Sequence, residues 1–349
     1  MSKILVVLGF LLALVLFVFG ACAPAILPAP VSPSAPASEI TPVPSSSPPL
    51  APPESGSMLL PTPAPAAGDF IRLYYYGPSA LGVDPAFLPG LHCIYSATSS
   101  DGIVFREDPG VRFSYDTELD FGIVDPDVVQ LNDGSWLMFV GSPPQIGTDL
   151  VKAVASDSTG AFVRDEAFIW KYGGVPGSYN FDGTVRIFTC FHGGIHVGTY
   201  DQSSGTLNYD GVALNPPASG LVADPSVIQA GGEYLMFYKY AASSSMPPQE
   251  HEIYLSTSAD GITWSQHDRN RFISRGSVPG AVYYGGIIYV YYCGQSGKPG
   301  VPQGDLGVAI SQDKGATFIF STITVQGKVA AGVVDPAAMV VSGDCDCDS

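Results

Sequence analysis

Residues 224–238 read DPSVIQAGGEYLMFY, and this stretch is the clearest copy of a unit that recurs along the chain. An Asp-Pro pair opens a run of strand-forming residues, two glycines supply a turn, and a second apolar run follows. Two such runs joined by a glycine-containing turn predict a β-hairpin. Residues 125–140 repeat the pattern as DPDVVQLNDGSWLMFV, and we align two further copies on residues 182–197 and 279–291.

A second motif lies in the outer half of each repeat. Residues 99–105 (SSDGIVF) align with residues 258–264 (SADGITW), and a longer version stands at residues 311–318. Weaker copies occur at residues 156–162 and 203–207. Ser and Asp side chains bond to nearby backbone, Gly takes a positive φ, and the aromatic residue fills the space between repeats. The motif predicts a structural hairpin, and its spacing of roughly 50 to 56 residues is that of a four-stranded propeller blade.

The fifth copy of the first hairpin is split between the two ends of the domain. Residues 335–339 (DPAAM) have no partner strand after them, while residues 71–76 (IRLYYY) stand alone at the start. Pairing of these halves closes a ring and removes an open sheet edge. The sequence therefore predicts an all-β fold, one five-bladed β-propeller over residues 68–342, closed by pairing of the C-terminal strand with the first blade.

The residues before the propeller predict export and a tether. A positively charged start and a long apolar run are typical of a signal peptide. Residues 19–22 (FGAC) resemble the bacterial lipobox. The resemblance implies a lipoprotein signal peptide over residues 1–22, lipidation of Cys22, and an extracytoplasmic protein anchored to the bacterial cell membrane. The alternative is an uncleaved transmembrane anchor. Residues 23–67 are rich in Pro, Ala and Ser, which predicts a disordered linker, and residues 343–349 form an acidic, Cys-containing tail.

Charge and cysteine content narrow the classes of partner. The formal net charge is −17 and the 15 Lys and Arg residues are scattered along the sequence. Nucleic-acid binding is therefore disfavoured, and a neutral ligand or a cation fits an acidic surface better. We expect a monomer without a cofactor. Cys93 and Cys293 either form a disulfide between blades one and five, with Cys190 buried, or all three are separate thiols.

Aspartates begin the inner strands in this alignment, and inner strands of a propeller start on one face around the central channel. The expected ring of carboxylates comprises Asp125, Asp182, Asp224 and Asp335. Crowded carboxylates raise the pKa of at least one member, as a general acid requires. The residues expected to bind substrate around this opening are Asp224, Tyr76, Tyr179, Phe181, Tyr240 and His251.

Two alternatives stand beside this reading of the carboxylates. An Asp before Pro can accept backbone N–H groups and fix the turn between blades, which is a purely structural role. Several carboxylates on one axis also suit Ca²⁺, a hard cation that prefers oxygen ligands. The sequence contains no ligand spacing that indicates a metal site.

Inner strands that open with Asp-Pro, combined with Ser-x-Asp-Gly-x-x-Trp outer hairpins, resemble the arabinanase, xylosidase and invertase superfamily of five-bladed glycosidases. The resemblance implies three acids from successive blades: an Asp base or nucleophile, an Asp that tunes pKa and orients substrate, and a Glu general acid. Asp335 and Asp125 match the two Asp roles on blades one and two. Blade three has Asp182 where the resemblance implies the Glu, and Glu250 or Glu252 from the blade-four loop is the candidate replacement.

The sequence thus predicts a cell-surface, glycoside hydrolase-like protein with paired carboxylates at the central opening of a propeller. The first alternative is a glycan-binding or adhesion propeller that has kept the fold without the chemistry. The second is a structural interaction platform. Fold resemblance does not decide among them, because one fold hosts many functions.

Overall fold

The computed structural model describes most of the predicted propeller. It covers residues 68–77, 93–114, 124–141, 150–243, 246, 250–267, 271–293, 306–328 and 332–343. Cys22, the linker over residues 23–67 and the tail after Gly343 lie outside these residues, so their assignments stay predictions. In the described part, no helix is long and apolar enough to cross a membrane.

The described strands form five sheets, one for each blade, and strands that follow one another within a blade pair antiparallel. Blade one contains β1 (Asp69–Gly77), β2 (Cys93–Ser99) and β3 (Val104–Glu107), with a short β4 (Phe113–Ser114) beside β2. Blade two contains β5 (Val124–Gln130), β6 (Trp136–Gly141), β7 (Leu150–Ala155) and β8 (Val163–Arg164). Blade three contains β9 (Gly174–Phe181), β10 (Thr184–Phe191), β11 (Gly194–Asp201) and β12 (Thr206–Leu214). Blade four contains β13 (Leu221–Ala230), β14 (Glu233–Ala241), β15 (Glu252–Ser258) and β16 (Phe272–Arg275). Blade five contains β17 (Ser277–Tyr284), β18 (Ile287–Cys293), β19 (Leu306–Ser311) and β20 (Ile319–Thr322). The predicted five-bladed, all-β propeller is confirmed.

Blade one combines strands from both ends of the domain. The last strand, β22 (Val334–Ser342), pairs antiparallel with β1 and forms the inner edge of the sheet. Strand β21 (Thr324–Gln326), which follows blade five, pairs parallel with β3 at the outer edge. The polypeptide leaving blade five therefore contributes to blade one at both edges. The strands β22, β5, β9, β13 and β17 pack against one another as the inner ring.

Strand β1 shows how side-chain alternation joins neighbouring blades. Every second residue of a strand faces the same side, and here both sides are apolar because a blade is covered on both faces. Phe70, Tyr74 and Tyr76 enter a core cluster with blade two, and Ile71, Leu73 and Tyr75 enter one with blade five. Full burial of an aromatic or aliphatic side chain contributes about 1.5–3 kcal/mol, so these contacts hold blade one on both sides.

The outer hairpins have the structural role that the sequence indicates. Ser258 Oγ accepts the Gly261 N–H at 2.9 Å, and Asp260 Oδ1 accepts the N–H groups of Ile262 and Thr263 at 2.8 and 2.7 Å. The aromatic residue of the motif, Trp264, is buried. Asp101 makes the same two bonds to its own hairpin. Backbone amides thus bond Oδ1 of both Asp residues, which agrees with the structural role predicted for the motif.

Replacing Gly261 with Ala is expected to destabilise the propeller by about 1–3 kcal/mol more than replacing Gly134 with Ala. Both glycines have a positive φ, of 68° and 85°, so both substitutions strain the backbone equally. A Cβ at Gly261 lies 2.0 Å from Phe181 Cε1, whereas a Cβ at Gly134 meets nothing within 4 Å. Phe181 is buried and cannot move aside freely. Chemical denaturation of both variants measures the difference, and equal losses contradict close packing between these blades.

Candidate functional site

All five inner strands begin with the same uncommon backbone conformation. Asp335, Asp125, Val175, Asp224 and Val278 have φ values of 50° to 52°, and a proline follows each of them. A positive φ is uncommon outside glycine and is strained for a β-branched residue. Because the conformation recurs whatever the side chain, the fold imposes it. We call these five equivalent positions the ring. Its side chains are carboxylates on blades one, two and four, and valines on blades three and five.

The structure corrects the predicted position of Asp182. This residue does not start an inner strand: Asp182-Gly183 forms the turn between β9 and β10, with φ values of 48° and 98°. Positive φ at both positions suits a two-residue hairpin turn, for which Asp-Gly is a favoured pair. Asp182 is exposed at the end of β9 opposite the ring. Val175 holds the blade-three ring position instead, and sequence reasoning missed it because the alignment followed Asp rather than the recurring Pro.

Asp125 and Asp335 interact within the ring. The Asp125 backbone N–H donates to the Asp335 carboxylate. Burial, then the charges of Asp335 and Asp224, raise the pKa of Asp125 well above its ordinary value. Burial, then the charge of Asp224, raise the pKa of Asp335 to about 6. Each neighbouring carboxylate charge disfavours ionisation of the others, so Asp125 and Asp335 keep their protons to higher pH than isolated carboxyl groups do.

A thiol completes the surroundings of Asp335. The Asp335 N–H donates to Cys293 Sγ at 3.2 Å, and the Cys293 thiol donates to Asp335 Oδ1 at 3.7 Å. Burial, reinforced by the Asp335 charge, raises the pKa of Cys293 well above its usual range, so it stays a protonated donor. Cys93, Cys190 and Cys293 are all free thiols. Of the two cysteine arrangements, the described residues therefore show separate thiols.

Asp224, the third carboxylate of the ring, is neutralised by a lysine. Lys239 Nζ lies 2.6 Å from Asp224 Oδ2, and Asp224 is 2% exposed. The Val278 N–H donates to the same oxygen at 3.2 Å. Burial disfavours the charged form of Lys239, but the charges of Asp224 and Asp125 outweigh burial and hold its pKa above the ordinary value. The ring therefore meets a half-buried cation, Lys239, on blade four.

The sheet register places a second set of equivalent side chains behind the ring. On the second strand of each blade, one residue pairs with the residue before the ring position. From blade one to blade five these are Tyr76, Gly141, Cys190, Lys239 and Cys293. Sequence reasoning placed Lys239 on a loop around the opening but missed Cys293 as a contact of the ring, because only the register marks it.

The aromatic residues predicted to bind substrate lie inside the propeller. Tyr76 and Tyr240 are 8% and 3% exposed, and Tyr240 stacks on His267 with ring centroids 4.8 Å apart. Tyr179 and Phe181 contact each other toward the far end of β9, with centroids 4.8 Å apart. The structure therefore does not bring these four side chains together: Tyr76 stands behind the ring, whereas Tyr179 and Phe181 lie toward the other end of β9.

Residues 250–252 belong to blade four, beside Lys239. Glu250 is exposed, and Glu252 Oε2 accepts the Tyr254 hydroxyl at 2.9 Å. Burial and then the Lys239 charge lower the pKa of His251, while the Asp224 charge opposes them. The protonation of His251 is therefore coupled to the Lys239–Asp224 pair.

The channel continues inward from the ring. A cavity of about 10 Å³, lined by Asp125, Asp127, Asp224 and the ring prolines, has room for about one water molecule. A larger cavity of about 350 Å³ follows, lined by all five inner strands. Ser178 Oγ donates to Asp127 Oδ2 between blades three and two. Burial raises the pKa of Asp127 to about 7 even though the Ser178 bond lowers it.

The buried carboxyl of Asp127 is expected to make the propeller less stable as pH rises from about 4 to about 7. Its pKa is higher in the folded chain than in the unfolded chain, so folding takes up a proton in this interval and that stabilisation is lost at higher pH. Replacing Asp127 with Asn should flatten the slope by up to about 1.4 kcal/mol per pH unit. Denaturant unfolding at several pH values measures it. Asp133→Asn, in an exposed turn, is the control, and an equal change in both variants contradicts the prediction.

Among the residues that the structure describes, no group of three or more His, Cys, Asp or Glu side chains is placed to hold a metal ion. Two of the three ring carboxylates, Asp335 and Asp224, bond instead to backbone N–H groups, to Cys293 and to Lys239. The Ca²⁺ suggestion therefore has no ligand set in this part of the chain.

Comparisons with known proteins find similarity of structure but not of sequence family. No protein-family profile and no curated protein matches the chain. An endo-1,4-beta-xylanase from Bacteroides thetaiotaomicron is similar at 14% identity and a TM-score of 0.49, over 78% of this chain and 97% of that chain. An alpha-L-arabinofuranosidase from Clostridium thermocellum is similar at 17% identity and a TM-score of 0.48, over 74% and 91%. An alpha-L-arabinanase from Cellvibrio cellulosa, complexed with arabinohexaose, is similar at 13% identity and a TM-score of 0.47, over 75% and 90%. At these identities the similarities do not extend to activity or substrate.

Proposed function

We propose that this protein is a glycoside hydrolase that acts on an oligo- or polysaccharide at the carboxylates of the ring. The observation that carries the proposal is the raised pKa of both Asp125 and Asp335, which interact from adjacent blades. Hydrolysis of a glycosidic bond needs one carboxyl group that donates a proton and one carboxylate that activates water or attacks the sugar. Environments that push two pKa values apart provide such a pair.

In this proposal Asp125 is the acid and Asp335 is the base or nucleophile. Asp335 accepts hydrogen bonds from the Asp125 N–H and the Cys293 thiol, and both bonds favour its ionised form. Asp125 is raised by burial and by two neighbouring carboxylates, which favours its protonated form. Lys239 neutralises Asp224, which limits how far the charge of Asp224 raises the pKa of Asp125 and Asp335.

A second candidate function is carbohydrate binding without hydrolysis. Two observations favour it. Asp335 and Asp224 each accept the backbone N–H of the ring residue in the next blade, Asp125 and Val278 respectively, which fastens neighbouring blades. Blade three carries Val175 where the glycosidase resemblance implies a Glu acid. In this alternative the carboxylates hold the inner strands in place, and the sugar binds at the opening without being cleaved.

Incubation of the full chain with arabino-, xylo-, fructo- and manno-oligosaccharides, followed by chromatography, distinguishes the two functions. Released sugar from at least one series supports the hydrolase. Saturable binding to one series without any release supports the binding protein. Neither release nor binding from any series contradicts both proposals.

We also propose that the protein is held at the outer side of the bacterial membrane by a lipid on Cys22. The proposal is supported by the FGAC sequence at residues 19–22 and by the Pro-rich segment over residues 23–67, which suits a spacer. Metabolic labelling with a fatty-acid analogue should label the natural chain and not Cys22→Ala. Cys93→Ala, which alters a cysteine of the propeller, should keep the label. A label on the Cys22 variant contradicts the anchor.

A further inference from the structure

Three of the eight arginines in this acidic chain line one cavity. The cavity has a volume of about 620 Å³ and lies between blades one and two. Arg72, Arg106 and Arg112 contribute to its wall, together with Glu107 and Asp108. The charged residues of the wall therefore sum to +1 in a chain whose formal net charge is −17.

Sheet register brings the first two arginines together. Arg72 of β1 pairs with Thr98 of β2, and Thr98 pairs with Arg106 of β3. Directly paired residues project from the same side of a sheet, so the three side chains form one row across blade one. In β1 this position interrupts the apolar face formed by Phe70 and Tyr74. A charged row in place of apolar packing indicates a role other than core formation.

Arg72 and Arg112 are both buried, at 4% and 5% exposure. Arg72 is neutralised, since its Nε lies 3.2 Å from Asp108 Oδ2 and its Nη1 donates to Ser158 Oγ. Arg112 has no ion pair within the described part of the chain, and its Nη2 donates to the backbone carbonyls of Pro109 and Gly110. Among the described residues, the buried Nε atoms of both arginines have no hydrogen-bond partner, but that of Arg72 lies beside Asp108. A buried guanidinium without an anion is costly.

We propose that this cavity, the arginine cavity, binds an oxyanion: a carboxylate, sulfate or phosphate group carried by a small ligand or by one unit of a saccharide. The planar, forked guanidinium matches these groups and binds them with charge-assisted hydrogen bonds. A volume of about 620 Å³ falls within the range of small-molecule sites. The anion is the charged partner that Arg112 lacks. The positive charge of Arg106, at the exposed edge of the row, attracts the anion to the cavity.

The arginine cavity is separate from the ring. Val341, Ser342 and Gly343, at the end of β22, line it, whereas the ring residue Asp335 stands at the start of that strand. Six residues of extended strand separate the two places by about 20 Å. Anion binding is therefore independent of the hydrolase proposal, and Asp125→Asn should keep it.

Titration calorimetry of the full chain at fixed ionic strength tests the proposal, with sodium sulfate, sodium phosphate and sodium glucuronate as probes and glucose as the neutral comparison. We expect saturable binding of at least one anion and none of glucose. Arg112→Gln should weaken that binding about tenfold or more, and the exposed Arg106→Gln should weaken it several-fold without affecting folding. Arg164→Gln, which removes one positive charge from an exposed pair with Glu166, is the control and should bind as the natural chain does.

A chain that ends at Gly343 is titrated in parallel, because Asp344, Asp346 and Asp348 follow this cavity residue in the sequence. Tighter anion binding by the shortened chain supports the same site, with the acidic residues as competitors. The preferred probe identifies the oxyanion. Two results overturn the proposal: no saturable binding by either chain, or equal affinity in the natural chain and in both Arg112→Gln and Arg106→Gln.

Discussion

Replacing Asp125 with Asn is expected to lower the rate of glycoside hydrolysis by about 10²–10⁴-fold, the usual contribution of a general acid. Asn has nearly the shape of Asp, and its backbone N–H still donates to Asp335, but its amide cannot deliver a proton. The loss should be seen at every pH, because no protonation state of Asn restores the acid. Initial rates on the best substrate from the oligosaccharide series measure the effect.

The stability of the same variant separates a catalytic role from a structural one. A buried carboxyl with a raised pKa destabilises the fold at neutral pH, so Asp125→Asn should unfold at equal or higher denaturant concentration than the natural chain. Asp182→Asn is the matched control, because the structure places Asp182 in an exposed turn at the other end of its strand, and its activity should not change. Undiminished hydrolysis in Asp125→Asn contradicts the assigned acid. A large loss of stability instead indicates that the Asp125 carboxyl has a structural role.

The fold could be predicted because its signals are local in sequence. Each hairpin of the first motif is marked by a glycine-containing turn between two apolar runs, as in residues 224–238. Each outer hairpin is marked by its own Ser and Asp. The split fifth copy predicted that the first and last strands belong together, and β22 does pair with β1. Local signals of this kind can be recognised in the sequence without knowing which strands are neighbours in space.

The site could be predicted only where its residues belong to a recognisable local sequence pattern. Asp125, Asp224 and Asp335 precede Pro and were assigned correctly to the start of inner strands. Asp182 was misplaced because Asp-Gly is also a turn signal. Val175, which holds the ring position of blade three, has an apolar side chain that does not mark it as a candidate site residue. The Lys239 contact and the row from Arg72 to Arg106 depend on register between strands far apart in sequence. No local pattern encodes such pairings.

Replacing Lys239 with Met is expected to destabilise the propeller by about 3–5 kcal/mol at pH 7, the usual cost of removing one partner of a buried ion pair. Asp224 is 2% exposed and would keep a carboxylate with no cation beside it. Arg164→Met is the control. It breaks an exposed pair in which Glu166 is 75% exposed, so its loss should stay below about 1 kcal/mol. Chemical denaturation of both variants gives the comparison.

Two further measurements show whether the loss comes from the unpaired charge rather than from the missing side chain. The double variant Asp224→Asn, Lys239→Met leaves no unpaired charge and should recover most of the stability, because replacing both partners of a buried pair is often close to neutral. The Lys239 charge also lowers the pKa of Asp125 and Asp335, so the pH profile of any activity left in the single variant should move to higher pH. A double variant as unstable as the single one, with an unshifted pH profile, would show that Lys239 contributes packing alone.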